Sequence, residues 1–170
     1  MSKLLAIVPA YNESGAIAAT VTDVLENAPG FDVVVVNDGS TDDTGTIARQ
    51  AGAAVIQHPF NIGIGGAVQS GYQYALDNGY DVAVQVDGDG QHDARYIPEL
   101  LQMLRSDPRL NMVSGSRFIG EGEAGYQSST TRRLGIRIFS GLLSRITGRA
   151  VTDPTSGFRM TDRRGIELFA

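Results

Sequence analysis

The stretch that decides the fold is Phe31–Gly52, "FDVVVVNDGSTDDTGTIARQAG". It opens on an apolar, β-branched run of the kind expected of a strand covered on both faces. Polar residues follow, and "STDD" then announces a helix, a capping residue ahead of first-turn acids. The helix predicted over 42–51 stops at Gly52. Buried strand, polar turn and helix make one β-α unit, and the same succession recurs along the chain. Further short β-branched runs are Leu4–Pro9, Ala53–Gln57, Asp81–Asp87 and Asn111–Ser116. Helix-length segments separate them at Ala16–Asn27, Gly65–Asn78 and Arg95–Arg105. Alternation of this kind predicts an α/β fold, a mostly parallel, Rossmann-like sheet flanked by helices.

At 170 residues the chain is expected to be one domain, 1–170, with a substantial buried core. It has no cysteine, which excludes disulfides and thiolate metal sites. The apolar run in "MSKLLAIVPAYNE" is too short for a signal peptide, and no run approaches the roughly 18 apolar residues of a membrane span. A soluble, cytoplasmic chain is the expectation. The formal charge of −5 hides an asymmetry. Residues 1–116 carry 5 basic and 14 acidic side chains, whereas 117–170 carry 9 and 5, every basic one an arginine. An acidic front and an arginine-only back suggest a cation bound in front and an anion behind.

Open parallel sheets bind ligands at the carboxyl ends of their strands. Three polar clusters fall there: "PAYNE" at 9–13, "NDGSTDD" at 37–43 and "DGDGQHD" at 87–93. In extended chain, Asp87 and Asp89 point to the same side, and Gly88 between them removes a side chain that would crowd a ligand. Oxygen ligands of this type suit Mg²⁺ or Mn²⁺, shared with substrate phosphates. Gln91 offers another oxygen, and His92 reads as a hydrogen-bonding loop residue. An acidic turn after a strand is the plainer alternative for the same pattern. Gly63, Gly65 and Gly66 open a helix where backbone amides meet an anion or where helix and sheet pack tightly. Their spacing differs from the dinucleotide fingerprint.

Residues 117–130 are glycine-rich and polar, a loop. "TRRLGIRIFSGLLSRITGR" beyond it reads as a helix with one apolar face and a basic surround. Such a helix either packs on the core or lies at an anionic membrane surface. The chain ends in "DRRGIELFA", an apolar helical pattern without a stop signal, as in a C-terminally truncated chain.

The motifs "IVPAYNE", "VVVNDGSTDDT", "NIGIGGAVQSGY", "DGDGQHD", "SGSRF" and "DPTSGFR" occur in that order over essentially the whole chain. Together they resemble the family 2 glycosyltransferases. The closest resemblance is to the branch of dolichyl- and polyprenyl-phosphate mannosyltransferases and related enzymes of cell-envelope synthesis. The resemblance implies a GT-A fold, with 1–116 binding a nucleotide-diphospho-sugar and 117–170 facing the acceptor. It implies that Pro9, Tyr11, Glu13, Val36 and Asp38 hold the nucleoside. Asp87, Gly88, Asp89 and Gln91 would hold the metal and diphosphate. Asn37 stands where many relatives carry another aspartate.

The implied reaction is metal-dependent transfer with inversion, the metal stabilising the leaving diphosphate. Asp89 and Arg117 are the expected catalytic residues. An ionised phosphate acceptor needs no general base, and the sequence after 117 offers only Asp153 as one. Arginine's fork matches phosphate oxygens, so Arg117 and Arg132 are expected at a lipid-phosphate acceptor. Contact with the inner face of the cell membrane goes with that acceptor; no nucleic-acid partner is expected. The alternatives are a sugar hydroxyl of a growing polysaccharide as acceptor, or a non-catalytic nucleotide-sugar-binding module. A nucleotidyltransferase would carry a glycine- and basic-rich loop after the first strand, where this chain has "PAYNESG".

Overall fold

The structure, a computed structural model, describes residues 2–115 and 157–170. In chain order the elements are β1 (Leu4–Ala10), α1 (Ile17–Asn27), β2 (Phe31–Asn37), α2 (Thr44–Gln50), β3 (Ala54–Gln57) and α3 (Ile64–Asp77). There follow β4 (Val82–Gln85), a 3-10 turn (Ala94–Tyr96), α4 (Ile97–Ser106), β5 (Met112–Ser114), β6 (Arg159–Asp162) and α5 (Arg163–Phe169). The strands form one sheet in the order β3-β2-β1-β4-β6-β5. The first four pair in parallel, and β6 runs antiparallel to β4. The fold is α/β with a mostly parallel sheet, as the alternation predicts.

All seven residues of β1 are buried, because helices cover both faces of the sheet. Its side chains alternate between two core layers. Leu4, Ala6 and Val8 join Val33 and Val35 with Ile17, Val21 and Val24 of α1 and Ile97 and Leu100 of α4. Leu5 and Ile7 join Val34 and Val36 with Tyr72 and Ala75 of α3 and Ile166 of α5. Each fully buried valine or leucine contributes about 1.5–3 kcal/mol, so β1 and β2 hold the sheet's centre. Gly71 brings α3 close to β1: a Cβ there would lie 2.2 Å from Ile7 Cγ2. Tight helix–sheet packing thus falls to Gly71, not to the glycine run at the start of α3.

The structure departs from expectation in two places. Asp42 and Asp43 precede α2 instead of occupying its first turn, and Asp43 makes no side-chain cap. Asp42 Oδ1 instead accepts the Thr44 N–H at 3.0 Å from outside the helix. The second departure is β6, which the sequence reading did not assign. Only four residues long and flanked by charge, it has no periodicity to read. It reaches the sheet by pairing Val84 with Met160 and Gln85 with Arg159. The predicted loop at 117–130 and the basic helix after it lie outside the described residues.

What positions the site is register. Pro9 pairs with Val36 and Ala10 with Asn37, while Ile7 pairs with Gln85. The carboxyl ends of β1, β2 and β4 therefore stop at one edge, and their three polar loops meet there.

Candidate functional site

The β1 and β2 exits are tied together by side-chain hydrogen bonds. Asn12 adopts the left-handed conformation at φ 55°, which asparagine tolerates better than most residues. That turn lets its Oδ1 accept the Thr41 N–H at 2.9 Å, while its own N–H donates to Ser40 Oγ at 2.9 Å. Glu13 N–H donates to Thr44 Oγ1 at 2.9 Å and Ser14 N–H to Asp42 Oδ2 at 3.1 Å. The hydrogen bonds from Thr44 and Ser14 outweigh the modest opposing effect of burial and hold the Asp42 carboxyl down at about 2. Asn37 is buried between the same loops. Its amide donates to Gln57 Oε1 at 2.8 Å and its carbonyl accepts from the Ser40 hydroxyl. A neutral amide suits this place, since it supplies a donor to Gln57 that an aspartate lacks.

Asp38 is buried as well. Its Oδ1 meets His58 Nδ1 at 2.8 Å and accepts the Ile62 N–H at 3.0 Å; Oδ2 accepts the Gly63 N–H at 2.9 Å. Burial pushes its carboxyl up, but the bonds from His58, Ile62 and Gly63 together prevail and leave it below the ordinary range. Gly39 allows the two loops to touch. With φ at 71°, a Cβ there would lie 2.4 Å from the Phe60 carbonyl carbon.

After β4, the Val86 N–H still bonds Ile7 O at 2.9 Å, and then "DGDGQHD" leaves the sheet as a turn rather than an extended run. Asp87 N–H donates to His92 Nδ1 at 3.0 Å. That ring is buried and stacks on Phe158 at 5.1 Å between centroids. His92 is therefore a structural loop residue, as its setting in the sequence suggests. From α1, Thr20 Oγ1 donates to Gly88 O at 3.3 Å, and Asp23 Oδ2 accepts the Ala94 N–H at 3.1 Å. The reason for a glycine at 88 is packing: a Cβ would stand 2.9 Å from Pro9 O and 3.2 Å from Ala10 Cβ. It lets the β4 loop lie against the end of β1.

Between these loops is a cleft of about 390 Å³, within the range of small-ligand sites. Pro9, Tyr11, Glu13, Asp38, Asp87, Gly88 and Asp89 line it. Two predicted residues do not. Val36 has its side chain wholly inside the core layer under α3, because its place in β2 directs it there. Gln91 is exposed and off the cleft; its backbone N–H donates to Asp89 Oδ1 at 3.0 Å. Asn61, Ile64 and Ala67 form a wall that the sequence reading did not assign. The glycine run beside them was its only signal. Gly63 N–H does not wait for an anion, since Asp38 and Asn61 Oδ1 both accept it. Arg117, Arg132 and Asp153 lie outside the described residues.

The cleft is acidic. Burial raises the Glu13 carboxyl above its ordinary value, and the charges of Asp89 and Asp42 raise it further. Asp87 accepts from Gln85 Nε2 at 3.1 Å, and no group of three or more His, Cys, Asp or Glu among the described residues could enclose a metal. A closed protein cage for a cation is thus absent there. Two carboxylates beside an open cleft fit Mg²⁺ or Mn²⁺ of the kind that keeps waters and shares substrate phosphates. No helix among the described residues is long and apolar enough to cross a membrane.

The profile of the family described as Glycosyl transferase family 2 matches residues 5–169. Undecaprenyl-phosphate mannosyltransferase of Micrococcus luteus is 34% identical over 92% of this chain and 65% of its own length. Polyprenol monophosphomannose synthase of Mycolicibacterium smegmatis is 30% identical over 97% of this chain and 63% of its own. The chain thus spans somewhat less than two thirds of these relatives. Among solved structures, glucosyl-3-phosphoglycerate synthase of Mycobacterium tuberculosis, in complex with Mn²⁺ and UDP-glucose, superposes with TM-score 0.74 at 21% identity, over 96% of this chain and 57% of that one. Sheet, cleft and sequence agree: the chain belongs to glycosyl transferase family 2.

Proposed function

We propose that this chain forms the donor-binding part of a glycosyltransferase that moves a sugar from a nucleotide-diphospho-sugar to a polyprenyl or dolichyl phosphate. The observation that carries this reading is the convergence of Glu13, Asp38, Asp87 and Asp89 on one cleft at the strand ends. The class of acceptor follows from the relatives, an undecaprenyl-phosphate mannosyltransferase and a polyprenol monophosphomannose synthase.

In this reading Pro9, Tyr11, Glu13 and Asp38 receive the nucleoside, and Asp87 and Asp89 hold Mg²⁺ or Mn²⁺. The ion supplies positive charge for the diphosphate as it leaves. The acceptor phosphate oxygen forms the new bond to the anomeric carbon from the face opposite the diphosphate, whose C–O bond breaks, so the centre inverts. An ionised phosphate has no proton to lose, so the chain needs no general base. Arg117 and Arg132 would hold that phosphate through paired N–H donors. Such an acceptor brings the protein to a membrane surface.

The test offers the protein nucleotide sugars with either polyprenyl phosphate or a free glycan as acceptor. Transfer to the lipid phosphate is expected, with inversion, and Arg132→Ala should slow it while sparing nucleotide binding. Efficient transfer to the glycan alone, untouched by Arg132→Ala, would overturn the lipid-phosphate reading.

A further inference from the structure

His58 is the first residue past β3, and it does not line the cleft. Its ring is 12% exposed and bridges two elements: Nδ1 stands 2.8 Å from Asp38 Oδ1 at the end of β2, and Nε2 stands 2.9 Å from Ser70 Oγ on α3. The chemistry fixes the direction of these bonds. Ionised Asp38 only accepts, so Nδ1 carries the proton; in the neutral ring Nε2 then accepts from the Ser70 hydroxyl. Asp38 holds more than the imidazole. It also takes the N–H groups of Ile62 and Gly63, so the segment leading into the Asn61–Ala67 wall hangs from this carboxylate. One buried carboxylate therefore both borders the cleft and fixes the loop beside it that leads into the Asn61–Ala67 wall.

We infer that His58 is a positioning residue for the donor: by donating to Asp38 it locks that carboxylate, and with it the Asn61–Ile64 wall, into the arrangement that receives the nucleotide. The inference rests on reading the cleft as a nucleotide site. Without the ring, Asp38 keeps its two amide donors but loses its side-chain donor on Oδ1. The competing role for the same side chain is purely architectural, a tie between β3 and α3 through Ser70.

The two ring nitrogens separate these roles. Asparagine carries an N–H close to where Nδ1 stood and cannot reach Ser70. Glutamine carries its amide near the place of Nε2 and abandons Asp38. The experiment titrates UDP and GDP, each with Mn²⁺, into the wild type and into His58→Ala, His58→Asn and His58→Gln, with a thermal melt of each. At least one nucleotide should bind the wild type. Affinity should fall roughly tenfold in the alanine and glutamine variants and recover in the asparagine variant. The asparagine and glutamine variants should nevertheless melt alike, each having lost one of two links. Equal affinity losses in those two, or no loss in either, would overturn the positioning role even if the alanine variant failed to fold. Binding of neither nucleotide by the wild type would bring down the nucleotide reading of the cleft itself, and this role with it.

Discussion

On the β1–β2 side of the cleft Asp38 and Asp42 are bound into the fold by several hydrogen bonds, whereas on the β4 side Asp87 and Asp89 have fewer partners among the described residues. Asp38 accepts from His58, Ile62 and Gly63, and Asp42 from Ser14 and Thr44. Among the described residues Asp87 accepts from Gln85 Nε2, with His92 Nε2 3.6 Å from its Oδ2, and Asp89 accepts the Gln91 N–H. The surrounding structure differs in the same sense. Asn12, Ser40 and Thr44 stitch the first side across two loops, while on the second Thr20 and His92 Nδ1 act on main-chain atoms and His92 Nε2 faces the Asp87 carboxylate. Charge held by several hydrogen bonds builds a shape; charge with fewer, beside the raised carboxyl of Glu13, is where a cation lowers the energy most.

The sharpest way to break this comparison is to remove charge from each side in turn. Asp89→Asn keeps an acceptor for Gln91 N–H and sits at an exposed position, so the melting temperature should hardly move. Nucleotide binding that depends on Mn²⁺ should nevertheless drop by more than about a hundredfold, beyond what disturbing an outer-shell residue does. Calorimetric titration with and without Mn²⁺ reads this directly, and unchanged metal dependence would dissolve the distinction between the two sides. Asp38→Ala should behave in the other way. It orphans buried donors, so stability should fall by about 1–3 kcal/mol, and nucleotide affinity by about tenfold whether or not Mn²⁺ is present. A loss confined to the metal-containing titration would mean that Asp38 belongs with the β4 acids.

The sequence made the second side easier to read than the first. Two aspartates after a buried strand, one residue apart, stand out because their repulsion demands a reason. The expected extended geometry was the wrong route, yet the turn at Gly88 brings both residues to the cleft all the same. Strands β1 and β2 were legible from unbroken apolar runs, since burial on both faces leaves no other pattern. Val36 shows the limit of that signal: a residue one position before the polar exit still belongs to the core. His58 and Ser70 were invisible for the opposite reason. His58 meets Asp38 across 20 residues and Ser70 across 12, through the packing of α3 on the sheet, and no local spacing encodes those contacts. The same holds for Asn61, Ile64 and Ala67, which reach the cleft because Gly39 lets their loop close against β2.

The smallest effect tests the repulsion itself. Glu13 is raised by burial first and by Asp89 and Asp42 after that, so the folded protein binds its proton more tightly than the unfolded chain does. An ionised Glu13 therefore destabilises the free protein at neutral pH. That penalty fades as pH falls through the raised value, and is gone below the ordinary 4.5. Asp42 works in the opposite sense: held at about 2, it stabilises above its ordinary 3.8, and that contribution is lost as pH falls toward 2. The two windows lie on either side of the region between them, so a melt series can tell them apart. Glu13→Gln keeps the main-chain bonds and removes the charge; it should raise the melting temperature by about 1–2 °C at pH 7 and by nothing at pH 4. Added Mn²⁺ and nucleotide should shrink the neutral-pH gain, because a cation at Asp87 and Asp89 offsets the repulsion that the substitution removes. A lower melting temperature for Glu13→Gln at pH 7 would mean that the Glu13 charge is held by a favourable partner, and the β4 side would then need no cation to be stable.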